Sequence, residues 1–311
     1  MKYIENAGQS YSVFSLGTVQ LGMDYGLGDN TAKPTKEYAF QILDRAVEHG
    51  VNVLDTANNY GTSEEVIGEW LKMKSKEERP IVITKIGPFD HSSPDALRQD
   101  VMSQVEGCRK ALGQDTLDVL MIHDFDDYDK DPVIMSELFA EMKAQGIIKK
   151  SGISTYSYHD YHKVAKSGFD TVQIALNVFD WQRINDGGIQ ALADAGMVIF
   201  ARSVFLQGLV FFTPEKLAPE MSFCIPYINE YRRLCEKFKL SPSTLALSFA
   251  LSVKGVSSVT LGCQTPEQID SNCETLEKTR QLTNEEMSEL HDAFTDIDPR
   301  VINPKLWFNA F

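Results

Sequence analysis

The stretch "NVLDTANNYG", Asn52 to Gly61, decides the fold, because its apolar head ends on chemistry. Val51–Leu54 reads as a short buried strand that stops at a carboxylate, Asp55, with Tyr60 following among Asn and Gly. A carboxylate at a strand end is either a turn former or the floor of a site. Seven further apolar runs of strand length flank it: Val13–Leu16, Ile81–Thr84, Leu117–Ile122, Ile148–Ile153, Thr171–Leu176, Met197–Ala201 and Ser258–Leu261. Between them lie helix-length segments with apolar residues three and four apart. In "YAFQILDRAVEHG", Phe40, Leu43 and Val47 fall on one face and Gly50 is the stop. In "SPDALRQDVMSQVEGCRKALG", Ser93 is the N-cap, Pro94 the first helical residue and Gly113 the stop.

Strands that do not alternate polar with apolar belong to a parallel sheet covered on both faces. Eight of them separated by helices predict a closed (β/α)8 TIM barrel, a single α/β domain over residues 1–311. The open doubly wound sheet is the alternative, but "LGTVQLGMDYGLGD" lacks the glycine spacing of its dinucleotide fingerprint. The tail after Pro299, "RVINPKLWFNAF", is too apolar for a free end and is expected to pack near the barrel mouth. A strand or hairpin is expected ahead of the barrel.

Composition narrows the function. The formal charge of −14 and the pI near 4.9 disfavour a nucleic-acid binder, which needs a basic stripe. Five scattered cysteines without a CxxC pair read as free thiols in a reducing compartment. The first residues carry no apolar h-region, and no apolar run reaches the roughly 18 residues of a membrane span. A cytoplasmic protein without a membrane partner is expected.

Barrel enzymes carry their chemistry at the carboxyl ends of the strands. Here the second, third and fourth strands end at Asp55, Lys85 and His123. The fifth ends at Ser154 and Thr155, the sixth carries Gln173 and ends at Asn177, and the seventh ends at Arg202 and Ser203. Taken singly, such residues are caps, structural histidines or snorkelling lysines. Three successive strands that bring Asp, Lys and His to one mouth point instead to a site. A phenol with a pKa near 10 is a poor proton donor at neutral pH, and an ammonium beside it stabilises the phenolate. Tyr60, Lys85, Asp55 and His123 together suit protonation of a carbonyl oxygen that gains negative charge. No Ser or Cys stands beside a base, and the His and carboxylates lack a metal-ligand spacing, so no metal is expected. "HDFDDYDKD" lacks the glycine and spacing of a calcium loop and reads as a solvated acidic loop. Such a loop can disfavour anionic substrates.

"NVLDTANNYG", "VITKIG" and "LMIHD" resemble the catalytic signatures of the aldo-keto reductase superfamily, and the likeness runs from "SLGTVQLG" to "EQIDSN". It implies a barrel that binds a nicotinamide cofactor without a Rossmann domain. Tyr60 would be the general acid, with Asp55, Lys85 and His123 completing a tetrad, and the hydride would pass to an aldehyde or ketone carbon. Gly17 and Thr18 match positions beside the nicotinamide, and Gln173 matches the glutamine that holds its carboxamide. In "GIST", Ser154 matches and Thr155 stands where the family has Asn. In "ARSVFLQGLV", Ser203, Phe205, Gln207 and Gly208 match the pyrophosphate segment. Arg202 replaces the aromatic residue that stacks on the nicotinamide, and a planar guanidinium can stack as well. In "LGCQTPEQIDSNCE", Gly262, Gln264, Gln268 and Asn272 match the adenosine end. Many relatives use Lys or Arg there, whereas this chain has glutamines with Glu267 nearby, so the expected cofactor is NADPH, with NADH tolerated better than usual.

Phe89, Trp181 and Trp307 are candidates for the substrate pocket, and the partner expected is a small carbonyl compound. Two other readings compete with the reductase. One is a cofactor-binding regulatory subunit of the same fold, and the other an aldolase or isomerase that uses Lys85 as a Schiff base. The sequence leaves the oligomeric state open.

Overall fold

The computed structural model describes residues 1–6, 8–25 and 32–307. Residues 26–29 of the glycine-bearing stretch therefore lie outside the described residues. The chain opens with an antiparallel hairpin, β1 (Tyr3–Asn6) and β2 (Gln9–Ser12). Eight parallel strands then close into a barrel: β3 (Phe14–Gly17), β4 (Val53–Asp55), β5 (Ile81–Ile86), β6 (Leu117–Ile122), β7 (Ile148–Ser154), β8 (Thr171–Ala175), β9 (Val198–Arg202) and β10 (Val256–Gly262). Neighbours pair in sequence order and β10 pairs with β3, so no barrel strand has an open edge. The runs read from the sequence differ from these strands by no more than two residues at either end.

The strands are buried on both faces, which is why their sequences do not alternate. Inside the barrel, Val53, Ile83, Val119, Met121, Val198 and Phe200 form a packed cluster. Tyr11 of the hairpin closes it from below, its ring edge-on to Phe200 at 5.8 Å. The hairpin thus plugs the amino end of the barrel and leaves the carboxyl end free for a site.

The helices start and stop where the sequence signals them. Thr35 caps Lys36–Glu48 by accepting from the Tyr38 amide, and Gly50 follows its end at φ +81°. Ser93 accepts from the Ala96 amide to open Pro94–Leu112, which ends at Gly113. One face was misjudged. Lys36–Glu48 buries Ala39, Ile42, Leu43 and Ala46, whereas Phe40 and Val47 are half-buried at its flank. Small alanines let the helix sit close to the strands, and a count of large apolar residues overlooks them.

Of the tail, residues 308–311 lie outside the described residues, and the part before them packs inward. Val301 and Trp307 are fully buried, the Trp307 indole donates to the Arg300 carbonyl at 2.9 Å, and the Arg300 guanidinium lies 4.3 Å over the Phe223 ring. Among the described residues no helix is long and apolar enough to cross a membrane. The five cysteines are unpaired and buried.

Candidate active site

The register of β3, β4 and β5 sets Gly17 beside Asp55 and carries Lys85 one turn of the pleat further up its own strand. Lys85 does not snorkel. It is fully buried, and its Nζ lies 2.8 Å from Asp55 Oδ1 and donates to the Thr56 carbonyl at 2.9 Å. Burial pushes this ammonium's pKa down, but the Asp55 carboxylate and the adjacent Tyr60 outweigh it, and the net shift is upward. Asp55 also accepts from Gln173 Nε2 at 2.9 Å, so strand β8 braces the same carboxylate.

Tyr60 sits on a tight turn. Its amide donates to Ala57 O, its carbonyl accepts from the Ser63 amide, and the turn lies directly on the backbone of Gly22. A Cβ on Gly22 would fall 1.8 Å from the Tyr60 carbonyl oxygen, so no other residue fits there. Gly61, at φ +58°, takes the left-handed conformation the turn needs. The Tyr60 ring has Lys85 Nζ 5.0 Å from its centroid and the His123 ring edge-on at 5.7 Å. Burial, then the charges of Lys85 and Arg202, lower the His123 pKa to about 3, so the imidazole is neutral at pH 7. Three successive strand ends and one turn thus converge on a single point, as the sequence predicts.

That point is the floor of a cavity of 640 Å³, within the range of small-molecule sites. Gly17, Thr18, Asp55, Tyr60, His123, Ser154, Gln173, Arg202, Ser203, Phe205, Gln207, Gly208, Gly262, Gln264 and Gln268 all line it. Lys85 lies behind Asp55. Two expected contacts do not face the cavity. Thr155 is buried with its hydroxyl on the Gln173 carbonyl, and Asn272 donates to the Cys263 sulfur. The segment after β9 is distorted: Ser203, Leu206, Gln207 and Gly208 all have positive φ, and three of them carry side chains. Such strain persists only where the surroundings impose it, and it collects at functional sites.

The aromatic candidates lie elsewhere. Phe89 is buried, its amide held by Asp127 Oδ2 at 3.0 Å. Trp181 packs against Phe249 and His291, lining a separate hollow with Phe294 and Pro299. Trp307 is buried in the tail. The loop at His123–Asp131 is not simply solvated either. Phe125–Tyr128 is a helical turn, and Asp127, 5% exposed, receives the Phe89 amide, His91 and Lys130. Asp124 and Asp126 lie 3.6 and 3.3 Å from His159 Nε2, outside the cavity. The trio has the residue types of a cation site. His159 Nδ1, however, accepts from the Tyr156 amide, so the ring turns an N–H rather than a lone pair toward the carboxylates.

The sequence reading missed Gln20, Tyr25, Tyr156, Leu206 and Thr260, which also line the cavity. Gln20 and Tyr25 belong to the stretch weighed above only for its glycines. Tyr156 follows the strand-end "GIST" by one residue, and reading one position further would have found it.

Comparison with known proteins agrees with this geometry. The model of the "Aldo/keto reductase family" matches residues 14–294. The oxidoreductase YqkF of Bacillus subtilis is 28% identical over 294 residues, covering 88% of this chain and 94% of that protein. The NADH-specific methylglyoxal reductase of Escherichia coli is 24% identical over 72% of this chain and 78% of its own length. Among solved structures, the holo form of aldo-keto reductase AKR11C1 from Bacillus halodurans superposes with a TM-score of 0.75 at 20% identity, covering 97% of this chain and all of that one. That last likeness concerns the fold alone. The family model spans nearly the whole barrel, and the chain belongs to the aldo/keto reductase family of oxidoreductases.

Proposed function

We propose that this chain reduces an aldehyde or ketone to an alcohol with a nicotinamide cofactor, Tyr60 acting as the general acid. The observation that carries this reading is the fully buried Lys85–Asp55 pair at 2.8 Å beneath the Tyr60 ring, with neutral His123 at the ring's edge. Asp55 keeps Lys85 charged, and the ammonium stabilises the phenolate left when Tyr60 gives up its proton. His123, uncharged, serves as a hydrogen-bond partner for the carbonyl oxygen rather than as a charged acid. The same pairing disfavours Lys85 as a Schiff-base nucleophile, which requires a neutral amine.

The lining fits a dinucleotide. The segment from Ser203 to Gly208 lines the cavity and is bent by the left-handed residues Ser203, Leu206, Gln207 and Gly208. It follows the seventh barrel strand, and the helix Pro266–Glu277 begins after the eighth, where barrels hold phosphates. Gln20 Oε1 and Thr260 Oγ1 are buried polar atoms of the cavity without a partner among the described residues, which a ligand would satisfy. A bound nicotinamide would supply the hydride. Gln264 and Gln268 stand at the cavity rim in place of cations, beside Glu267. Neutral donors bind phosphate roughly half as strongly as charged ones, so NADPH is used and NADH tolerated. A kcat/KM preference for NADPH above about a thousandfold, on the order of 4 kcal/mol, would sink the tolerance.

Tyr60→Phe tests the reading itself. Turnover of an activated aldehyde should vanish while cofactor affinity, measured by fluorescence titration, stays nearly intact. Near wild-type reduction by the variant would remove Tyr60 as the acid. A cofactor-binding regulatory subunit would instead leave the wild type inert toward every carbonyl tried.

A further inference from the structure

Among the described residues, Arg202 is the one charge lining the cavity without a counter-charge. Asp55 is matched by Lys85 at 2.8 Å, and His123 is neutral. No other described residue lining the cavity carries a charge, and Arg202 forms no ion pair with any described carboxylate. Its guanidinium is held rather than loose. Nη2 donates to the Thr155 carbonyl at 3.0 Å, Nη1 to Ser203 Oγ at 3.2 Å, and one face lies 4.4 Å over the Tyr156 ring. These contacts fix the plane and leave other N–H groups of the fork unassigned. A half-buried cation without a counter-charge in a concave site is costly until an anion arrives. The chain as a whole carries −14, a field that repels anions, so a local cation matters more here than in a neutral protein. Asp124 and Asp126 of the acidic loop face His159 and do not line the cavity.

We propose that Arg202, oriented by Tyr156, Thr155 and Ser203, is the specificity residue that selects carbonyl substrates bearing a carboxylate or phosphate. It shares the cavity with Tyr60 and His123, so a short substrate can present its carbonyl to these and its anionic group to the guanidinium. Arginine suits the task because its planar fork pairs with either oxyanion through two parallel bonds. The proposal rests on the reductase reading above.

The same guanidinium chemistry can serve the phosphates of the cofactor, and a ratio separates the two sources. Wild type and Arg202→Met are compared on matched pairs: 4-carboxybenzaldehyde against its methyl ester, and D-glyceraldehyde 3-phosphate against D-glyceraldehyde. A change in cofactor binding alters both members of a pair alike and cancels in their kcat/KM ratio. The expected result is a wild-type preference for the anionic member of at least tenfold in one pair, lost in Arg202→Met and partly restored in Arg202→Lys. Absence of that preference in the wild type, with the ester reduced, overturns the proposal and leaves the reductase reading standing. A ratio unchanged in Arg202→Met, with the Kd for NADPH raised, assigns the guanidinium to the cofactor and also overturns it. Should the wild type reduce neither member, the reductase reading fails. Calorimetry of 4-(hydroxymethyl)benzoate binding then decides the anion site on its own: binding lost in Arg202→Met supports it, and equal or absent binding overturns it.

Discussion

Removing the carboxylate under Lys85 is the sharpest physical test of the site. In Asp55→Asn the ammonium keeps the Thr56 carbonyl at 2.9 Å but loses its counter-charge, in a position with no solvent exposure. Breaking a buried pair from one side costs about 3–5 kcal/mol, because the remaining charge is left uncompensated. The entropy of unfolding is about 2.1 cal/mol/K per residue. Over 311 residues that gives roughly 0.65 kcal/mol/K, so the loss lowers Tm by about 5–8 °C. Lys85→Met added to Asp55→Asn removes the stranded charge and should recover most of the loss. The pH dependence supplies a second signature. In the wild type the Lys85 pKa is raised above its unfolded value near 10.4, so the pair stabilises fully below that pH and the gain is lost as pH rises through the folded value. In Asp55→Asn the main influence raising the pKa is gone and burial, the largest one, dominates, so the folded pKa falls below about 10.4 and the penalty fades as pH climbs toward that value. The gap between variant and wild type should therefore narrow from pH 7 to pH 10. Urea denaturation of the four proteins of the cycle measures both effects. A coupling energy below about 0.5 kcal/mol would mean that the two groups are not an interdependent pair.

Two further outcomes follow from the same geometry. The His123 pKa is depressed to about 3 in the fold against roughly 6.5 unfolded. The associated stability is thus present above about pH 6.5 and is lost as pH falls toward 3, so His123→Asn should flatten the acid limb of stability by up to one proton. Parallel denaturation curves for variant and wild type between pH 4 and 7 would contradict this. Gly22→Ala would place its Cβ 1.8 Å from the Tyr60 carbonyl and 2.4 Å from the Ser63 amide, forcing the Tyr60 turn away. Carbonyl reduction should fall on the order of a hundredfold, the scale of a misplacement of about 1 Å, together with Tm. Unchanged kcat would show that the turn does not fix the phenol.

The barrel was legible because burial on both faces leaves an unbroken apolar run, and because each run stops at a residue that is expensive to bury. Asp55, Lys85 and His123 were found this way, and the serine start and glycine stops of the helices from their capping chemistry. What failed was the placement of side chains on loops. Phe89 and Trp181 are large and follow strand ends, but a loop can turn either face inward: Asp127 holds the Phe89 amide, Phe249 and His291 pack Trp181, and Trp307 is buried in the tail. Asp127 was misread for the converse reason. Among five acidic residues between Asp124 and Asp131, nothing in the local sequence says which will be buried, since its partners come from the Phe89 loop.

The departures from the family's pattern are joined in space, and this bears on how they are to be tested. By the resemblance drawn from the sequence, Arg202 replaces an aromatic ring and Thr155 an Asn. In this chain the Thr155 carbonyl accepts from Arg202, the Thr155 hydroxyl is tied to the carbonyl of Gln173, and Tyr156 lies beneath the guanidinium. An aromatic ring thus stands beside position 202, on Tyr156 just beyond β7, with the guanidinium over its face. Restoring an aromatic residue at 202 alone would set it against Tyr156 and leave the Thr155 carbonyl without its donor. Changes at 155, 156 and 202 should therefore be strongly non-additive, as expected for residues that share partners. The three positions form one hydrogen-bonded and stacked unit, so a variant at any one of them is to be read against the other two.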